Sequence, residues 1–442
     1  MTPTKTPCDL LLSAPWVLPV APRNEALVEH AIAVADGKIL SLGPTAQLQS
    51  RFEPARHETL DQHILLPGLV NAHGHAAMTL LRGAGEDQAL QSWLADTIWP
   101  LENAHVDAEF VALGTELAIA EMLCSGTTLF SDMYFFPEIA ARAADRSGIN
   151  AQIAVPIIEQ PNAWTAGLDA CFHRGLGLYD DFRHHDRVHI AFGPHSTYAL
   201  SHAGLARMNM YVNELEACVQ IHLHENAQEV EDAQRTHGCT PIATLAQLDM
   251  LGPHLQAVHM TCVSDADLEL IANSSTAVIH CPASNLKLAS GYCDITRLTD
   301  AGVTLGLGTD GAASNNTLDM FAEAHLAALL AKHQRGDPRA GRAQDILAQA
   351  TLGGATALNR SVHHGSLEVG KQADIIAIDM HSLGLAPVHD PFAALIHGNA
   401  GGAVSRVWVA GELLVEDGRP TRIDQQELLR RAQVWAQHLH GN

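Results

Sequence analysis

The stretch Leu65-Leu-Pro-Gly-Leu-Val-Asn-Ala-His-Gly-His75 runs apolar, turns polar, and stops on two histidines separated by one glycine. Its apolar half reads as a buried strand, and successive side chains of a strand point to opposite faces. His73 and His75 therefore look the same way, with no bulk at Gly74 between them. Two imidazoles side by side at a strand end point to a metal ion, although a chain with 27 histidines also pairs some by chance. Further ligands at equivalent places would separate the two readings.

Downstream a rhythm appears of short apolar strands ending in polar residues, separated by helical stretches. After 64–75 the strand candidates are "GTTLFSDMY" (126–134), "AQIAVPI" (151–157), "RVHIAFGPH" (187–195) and "CVQIHLHE" (218–225). "LQAVHMT" (255–261), "TAVIHCP" (276–282) and "VTLGLGTD" (303–310) complete the set. Strands apolar throughout and alternating with helices imply a parallel sheet covered on both faces. Eight of them suit a closed (β/α)8 barrel of the TIM type better than an open doubly wound sheet.

The two ends differ. "HAIAVADGKILSLGP" near the start, and "SLEVGKQADIIAID" and "VSRVWVAGELLVEDGRP" near the end, each carry a valine- and isoleucine-rich strand and a glycine turn. They are expected to pair into one small β-sandwich made from both termini. The expected organisation is residues 1–63 as the N-terminal part of the sandwich, 64–365 as the barrel, and 366–442 as its C-terminal part. That last part closes with a helix over "DQQELLRRAQVWAQHLH".

Composition narrows the function. Among 442 residues, 49 are acidic and 26 basic, a formal net charge of −23, while 47% are apolar, enough for a sizeable core. So acidic a surface repels phosphate backbones, making nucleic acid and anionic membranes poor partners. The eight cysteines form no C-x-x-C pair and read as reduced thiols of a cytoplasmic protein. "LLLSAPWVLPVAP" is preceded only by Lys5, interrupted by Asp9 and broken by three prolines; strands are expected there, not a signal peptide. No apolar run reaches the length of about 18 residues that a membrane-spanning helix needs.

In such a barrel the C-terminal strand ends converge on one mouth, where catalysis sits. Those ends carry His73 and His75, His195, then His222, His224 and Glu225, then His259, His280 and Asp310. Three imidazoles and one carboxylate, with a position left for water, make a catalytic zinc site, and His73, His75, His222 and Asp310 are assigned as its ligands. The fourth and fifth candidate strands contain no lysine that could be carboxylated to bridge two ions, so one ion per subunit is expected. Such a ligand set also accepts iron, manganese or cobalt. Glu225 follows at the strand exit, where the backbone can leave the pleat and turn its carboxylate inward to carry protons, and His259 is placed to hold and polarise the nucleophile. His224 reads equally as a support or as a solvated residue.

Together "PGLVNAHGH", "HLHE", "VHMT", "HCPASNLKLASG" and "LGTDGAASNN" resemble the amidohydrolase superfamily. The closer likeness is to its branch of S-adenosylhomocysteine and 5′-methylthioadenosine deaminases, triazine chlorohydrolases and guanine deaminases. The resemblance implies the same four ligands, Glu225 as the proton shuttle, and catalytic roles for His259 and Asp310 in a hydrolytic deamination. It implies further that Glu102, in the "WPLE" stretch beginning at Trp99, binds ribose hydroxyls and that His195 contacts purine or ribose. Without the family, Glu102 reads as a helix N-terminal acid favoured by the macrodipole. Ser314 and Asn315 look like supports of the loop after Asp310. Arg174 is a candidate for a substrate carboxylate, away from the family's clear spacing. The expected function is deamination of S-adenosylhomocysteine, 5′-methylthioadenosine or adenosine by a zinc-dependent homo-oligomer, a dimer or tetramer. The alternatives are another heterocycle (guanine, pterin, triazine) or an inactive barrel serving as an assembly subunit.

Overall fold

Eight strands lie side by side in chain order, every pair parallel. They are β1 (Leu69–Asn71), β2 (Thr127–Met133), β3 (Asn150–Ile157), β4 (Val188–Pro194), β5 (Val219–Leu223), β6 (Leu255–His259), β7 (Ala277–His280) and β8 (Leu305–Leu307). The computed structural model describes residues 5–440. Nearly every residue of these strands is buried, because side chains fill the inside and helices cover the outside. The seam between β8 and β1 closes through Ala72 N–H donating to Leu307 O at 2.9 Å and Asp310 N–H to His73 O at 3.1 Å. A short parallel bridge, Gly74–His75 against Asp310–Gly311, extends it. The result is the TIM-type barrel expected from the alternating pattern.

The segment 64–75 is not one strand but three short ones, His63–Pro67, Leu69–Asn71 and Gly74–His75. His63–Pro67 pairs antiparallel with Ile375–Asp379 in a second sheet, and the chain enters the barrel only at Leu69. Gly68 makes the transfer: its N–H donates to Asp374 O at 3.0 Å. A Cβ there would stand 2.0 Å from Thr128 Oγ1.

The second sheet joins both termini, as expected. Its nine strands include Thr6–Val17, Leu27–Ala35 and Lys38–Pro44 from the start of the chain and Ile375–Asp379, Val404–Val409 and Glu412–Glu416 from its end. One continuous mixed sheet wraps around Leu12, Ile32, Ile375 and Trp408, all buried in one cluster. The closing helix, Gln425–His440, packs on Ala108–Cys124, with the Trp435 ring edge-on to Phe110 at 5.2 Å. Among the described residues no helix is long and apolar enough to cross a membrane.

Candidate active site

His73 and His75 leave the end of β1, His222 stands within β5, and Asp310 follows β8. One ligand atom from each lies within 4.8 Å of the other three. His75 Nε2 is 3.1 Å and His73 Nε2 3.4 Å from Asp310 Oδ1, and His222 Nε2 is 3.3 Å from His75 Nε2. Ligands about 2.0–2.1 Å from a tetrahedral zinc ion are separated by edges of this length, about 3.3 Å.

The far side of each ligand is occupied. His75 Nδ1 donates to Met133 O at 2.6 Å, His222 Nδ1 to His195 O at 2.7 Å, and His73 Nδ1 to Gln220 Oε1 at 2.7 Å. A carbonyl oxygen only accepts, so the ring protons sit on Nδ1 and the Nε2 lone pairs converge. Asp310 Oδ2 accepts from Ser284 Oγ at 2.6 Å and Ser314 Oγ at 2.7 Å. His73 Nε2 and Asp310 Oδ1 are buried without a hydrogen-bond partner. Converging lone pairs and an unpartnered carboxylate oxygen require a cation or a proton between them. The donor set fits a divalent metal ion, and the four residues form a site for one.

Backbone strain shapes the rest. His224, His259 and Asp310 all have positive φ, 51°, 76° and 60°, a conformation that costs energy outside glycine and clusters at functional sites. At His224 it breaks the strand alternation. His224 turns away, its Nδ1 donating to Cys262 O at 2.6 Å and its Nε2 accepting from Ile242 N at 3.3 Å. It is a buried structural histidine, and Glu225 faces the site in its place. Glu225 Oε1 lies 3.8 Å from His259 Nε2. Burial, with the Asp310 charge behind it, pushes the Glu225 carboxyl up to about 8. His259 donates through Nδ1 to Asn285 Oδ1 at 2.9 Å, which leaves its Nε2 an acceptor towards the pocket.

His75, His222, Glu225, His259 and Asp310 line one pocket with Met78, Trp93, Ile98, Trp99, Glu102, Phe135, His195 and Leu288. Glu102 Oε1 accepts from Tyr134 Oη at 2.7 Å, and the Tyr134 ring lies 6.4 Å from that of His75. Glu102 and Trp99 share the short helix Trp99–His105, and Trp99 is exposed at the rim. His195 is pushed down to about 4 by burial and then by the charge of His75. Asn315 donates to Thr309 O and to the buried Glu323, both at 2.8 Å, holding the loop after Asp310. His280 is buried at the end of β7 without lining the pocket.

Arg174 is not brought into the site. Its guanidinium pairs with Glu138 at 2.6 Å, donates to Trp164 O and lies over the Trp164 ring. A local acid and an aromatic face satisfy it outside the pocket. Sequence reasoning missed Tyr134, Ser284, Asn285 and Gln220, whose roles depend on which atom each one faces. "HCPASN" held a signal for two of them, two small polar residues directly after a barrel strand.

Comparison with known proteins identifies what the whole chain is similar to. The amidohydrolase family profile matches residues 64–414. A 5-methylthioadenosine/S-adenosylhomocysteine deaminase of Teredinibacter turnerae is 46% identical over 439 residues, covering 99% of each chain. One of Saccharophagus degradans is 45% identical, covering 98% of this chain and 97% of its own. Among solved structures, a zinc-containing adenosine deaminase from Xanthomonas campestris superposes with a TM-score of 0.98 at 42% identity, covering 99% of this chain and all of its own.

Proposed function

The chain belongs to the amidohydrolase family, and from that premise we propose that it is a zinc-dependent hydrolytic deaminase of adenine nucleosides. The observation that carries the reading is that the four-ligand centre, Glu225 and Glu102 line one pocket whose remaining walls are largely apolar. Such a lining suits an adenine ring set against the metal centre with its ribose hydroxyls at Glu102.

A divalent ion held by His73, His75, His222 and Asp310 would supply Lewis-acid chemistry, lowering the pKa of a water to roughly 7. The chain's own groups do the rest. His259, fixed by Asn285, presents its Nε2 as an acceptor that orients the attacking water. Burial raises the Glu225 carboxyl in the metal-free chain, and an ion beside Asp310 would bring it back towards neutrality, where a proton carrier works. It takes a proton from the water as the oxygen adds to C6, delivers that proton to ring N1, and passes the hydroxyl proton to the amino group, which leaves C6 as ammonia. Glu102, with Tyr134 on one oxygen, keeps lone pairs for the ribose hydroxyls, and the apolar walls exclude competing water.

Among the described residues no lysine or arginine lines the pocket, and Arg174 is committed to Glu138. A short apolar 5′ substituent, as in 5′-methylthioadenosine, is therefore favoured over the zwitterionic tail of S-adenosylhomocysteine. Ammonia release from a panel of adenosines, guanine, a pterin and a triazine tests the assignment. Turnover confined to the non-nucleosides overturns it, and so does a kcat/KM for adenosylhomocysteine above that for methylthioadenosine as regards the tail. Glu102→Ala is expected to lower kcat/KM on nucleosides about 100-fold, roughly the loss of a charge-assisted pair of hydrogen bonds, with bound zinc unchanged. Assembly as a homo-oligomer belongs to the same proposal, and sedimentation of the zinc-loaded protein checks it.

A further inference from the structure

Beneath the ligands the barrel interior is filled by neutral amides. Gln152 of β3, Gln220 of β5 and Gln256 of β6 are buried there with Ser131 of β2. Their hydrogen bonds leave each amide a single orientation. Ala72 O is an acceptor only, so the Gln220 atom 3.0 Å from it is Nε2, which donates also to Gln256 Oε1 at 2.8 Å. Gln256 Nε2 donates to Gln152 Oε1 at 3.1 Å. Gln152 Nε2 returns bonds to Gln256 Oε1 at 2.8 Å and Ser131 Oγ at 3.0 Å. Gln220 Oε1 is thereby turned to His73 Nδ1 at 2.7 Å.

His75 and His222 take their orientation from backbone carbonyls, which no substitution removes. His73 alone depends on a side chain. We infer that Gln220 is a positioning residue of the metal centre: its own amide, turned by the Ala72 carbonyl, fixes the tautomer and ring direction of His73, and with them the affinity of the divalent-ion site. The inference rests on the ligand site and not on the nucleoside substrate. Because the acceptor is neutral, Asp310 stays the only anionic ligand.

The test titrates zinc into chelator-stripped full-length protein against a chromophoric competitor, beside thermal melting of the metal-free form. Gln220→Met removes the acceptor at similar volume and is expected to weaken zinc about 10- to 100-fold, as losing a partner of a ligating histidine does. Gln220→Leu, a second apolar replacement, removes the same acceptor and is expected to weaken zinc to a similar extent. Gln152→Met disturbs the layer without touching His73 and should also stay within about threefold. Wild-type affinity in Gln220→Met overturns the inference. Equal weakening in Gln152→Met does so too, because the layer would then act through packing alone. If Gln220→Met fails to fold, Gln220→Leu decides: wild-type zinc affinity in it overturns the inference. Zinc titration reads the ligand site directly, so failure of the deaminase assay is a separate result.

Discussion

Each imidazole of the centre has one nitrogen tied to an acceptor and the other left for an ion, and this division sets its response to pH. Burial opposes charge on His75, but Asp310 and the Met133 carbonyl outweigh it and raise the metal-free ring to about 9. Ion and proton then compete for the same Nε2, so affinity rises with pH up to about 9, with up to one proton released per ion at neutral pH. Calorimetric titration of zinc in two buffers of different ionisation enthalpy measures that proton, and an affinity flat from pH 6 to 9 refutes the competition. Glu225→Gln keeps the pocket volume and all four ligands while removing the proton carrier. Zinc content should stay at wild type and kcat fall by about 100-fold or more, the range for a lost general acid–base. The ligands were legible because strand alternation and strand ends bring distant residues to one rim. Ser284, Asn285 and Gln220 were not, because a small polar residue in a sequence does not say which lone pair it will meet. Arg174 misled for the related reason that the side chain takes the first acid within reach, Glu138.

Two segments that look alike in sequence go to different sheets. His63–Pro67 and Leu69–Asn71 are both apolar and both buried, so periodicity merges them; only the collision of a Gly68 side chain with Thr128 separates them. Which strands alternate with helices was legible along the whole barrel. The departure from alternation after His222 was legible as a backbone leaving the pleat at the strand exit; the positive φ of His224 and its bonds to Cys262 and Ile242 were not, since they join residues distant in the chain. Closure at the seam makes a prediction of its own. A Cβ on Gly308 would lie 2.8 Å from His73 N and 2.9 Å from its oxygen, both backbone atoms that cannot step aside. Gly308→Ala should therefore push β8 away from β1 at the place where Ala72 meets Leu307 and where Asp310 begins. Overpacking of this kind costs about 1–3 kcal/mol. Thermal melting should show that loss together with weaker zinc binding, whereas an unchanged melt would mean the seam is slack.

Across the whole molecule the buried charges set how stability depends on pH. Burial first, and neighbouring carboxylates second, push Glu225, Glu229 and Glu323 up to about 8, and burial pushes Asp132 to about 6. An unfolded carboxyl titrates near 4, so between about pH 4.5 and 8 the folded chain holds more protons than the unfolded one. Its stability must fall as pH rises through that window. His75, raised to about 9, loses its contribution in the same direction between 6.5 and 9. The histidines pushed down by burial, His189 and His280 to about 3 and His195 to about 4, act oppositely. They must stay neutral in the fold, so they cost stability as pH falls below 6.5. Metal-free protein should accordingly melt highest near pH 5–6.5 and lose stability on both sides. A divalent ion beside Asp310 favours ionised Glu225 and replaces the proton on His75, removing two of the alkaline losses. The zinc-loaded protein should thus fall less steeply between pH 6.5 and 9, and the gap between the two melting curves should widen with pH. Parallel curves would show that the ion and the buried carboxyls do not share one field, and the geometry of Glu225, His259 and Asp310 would then lack its electrostatic consequence.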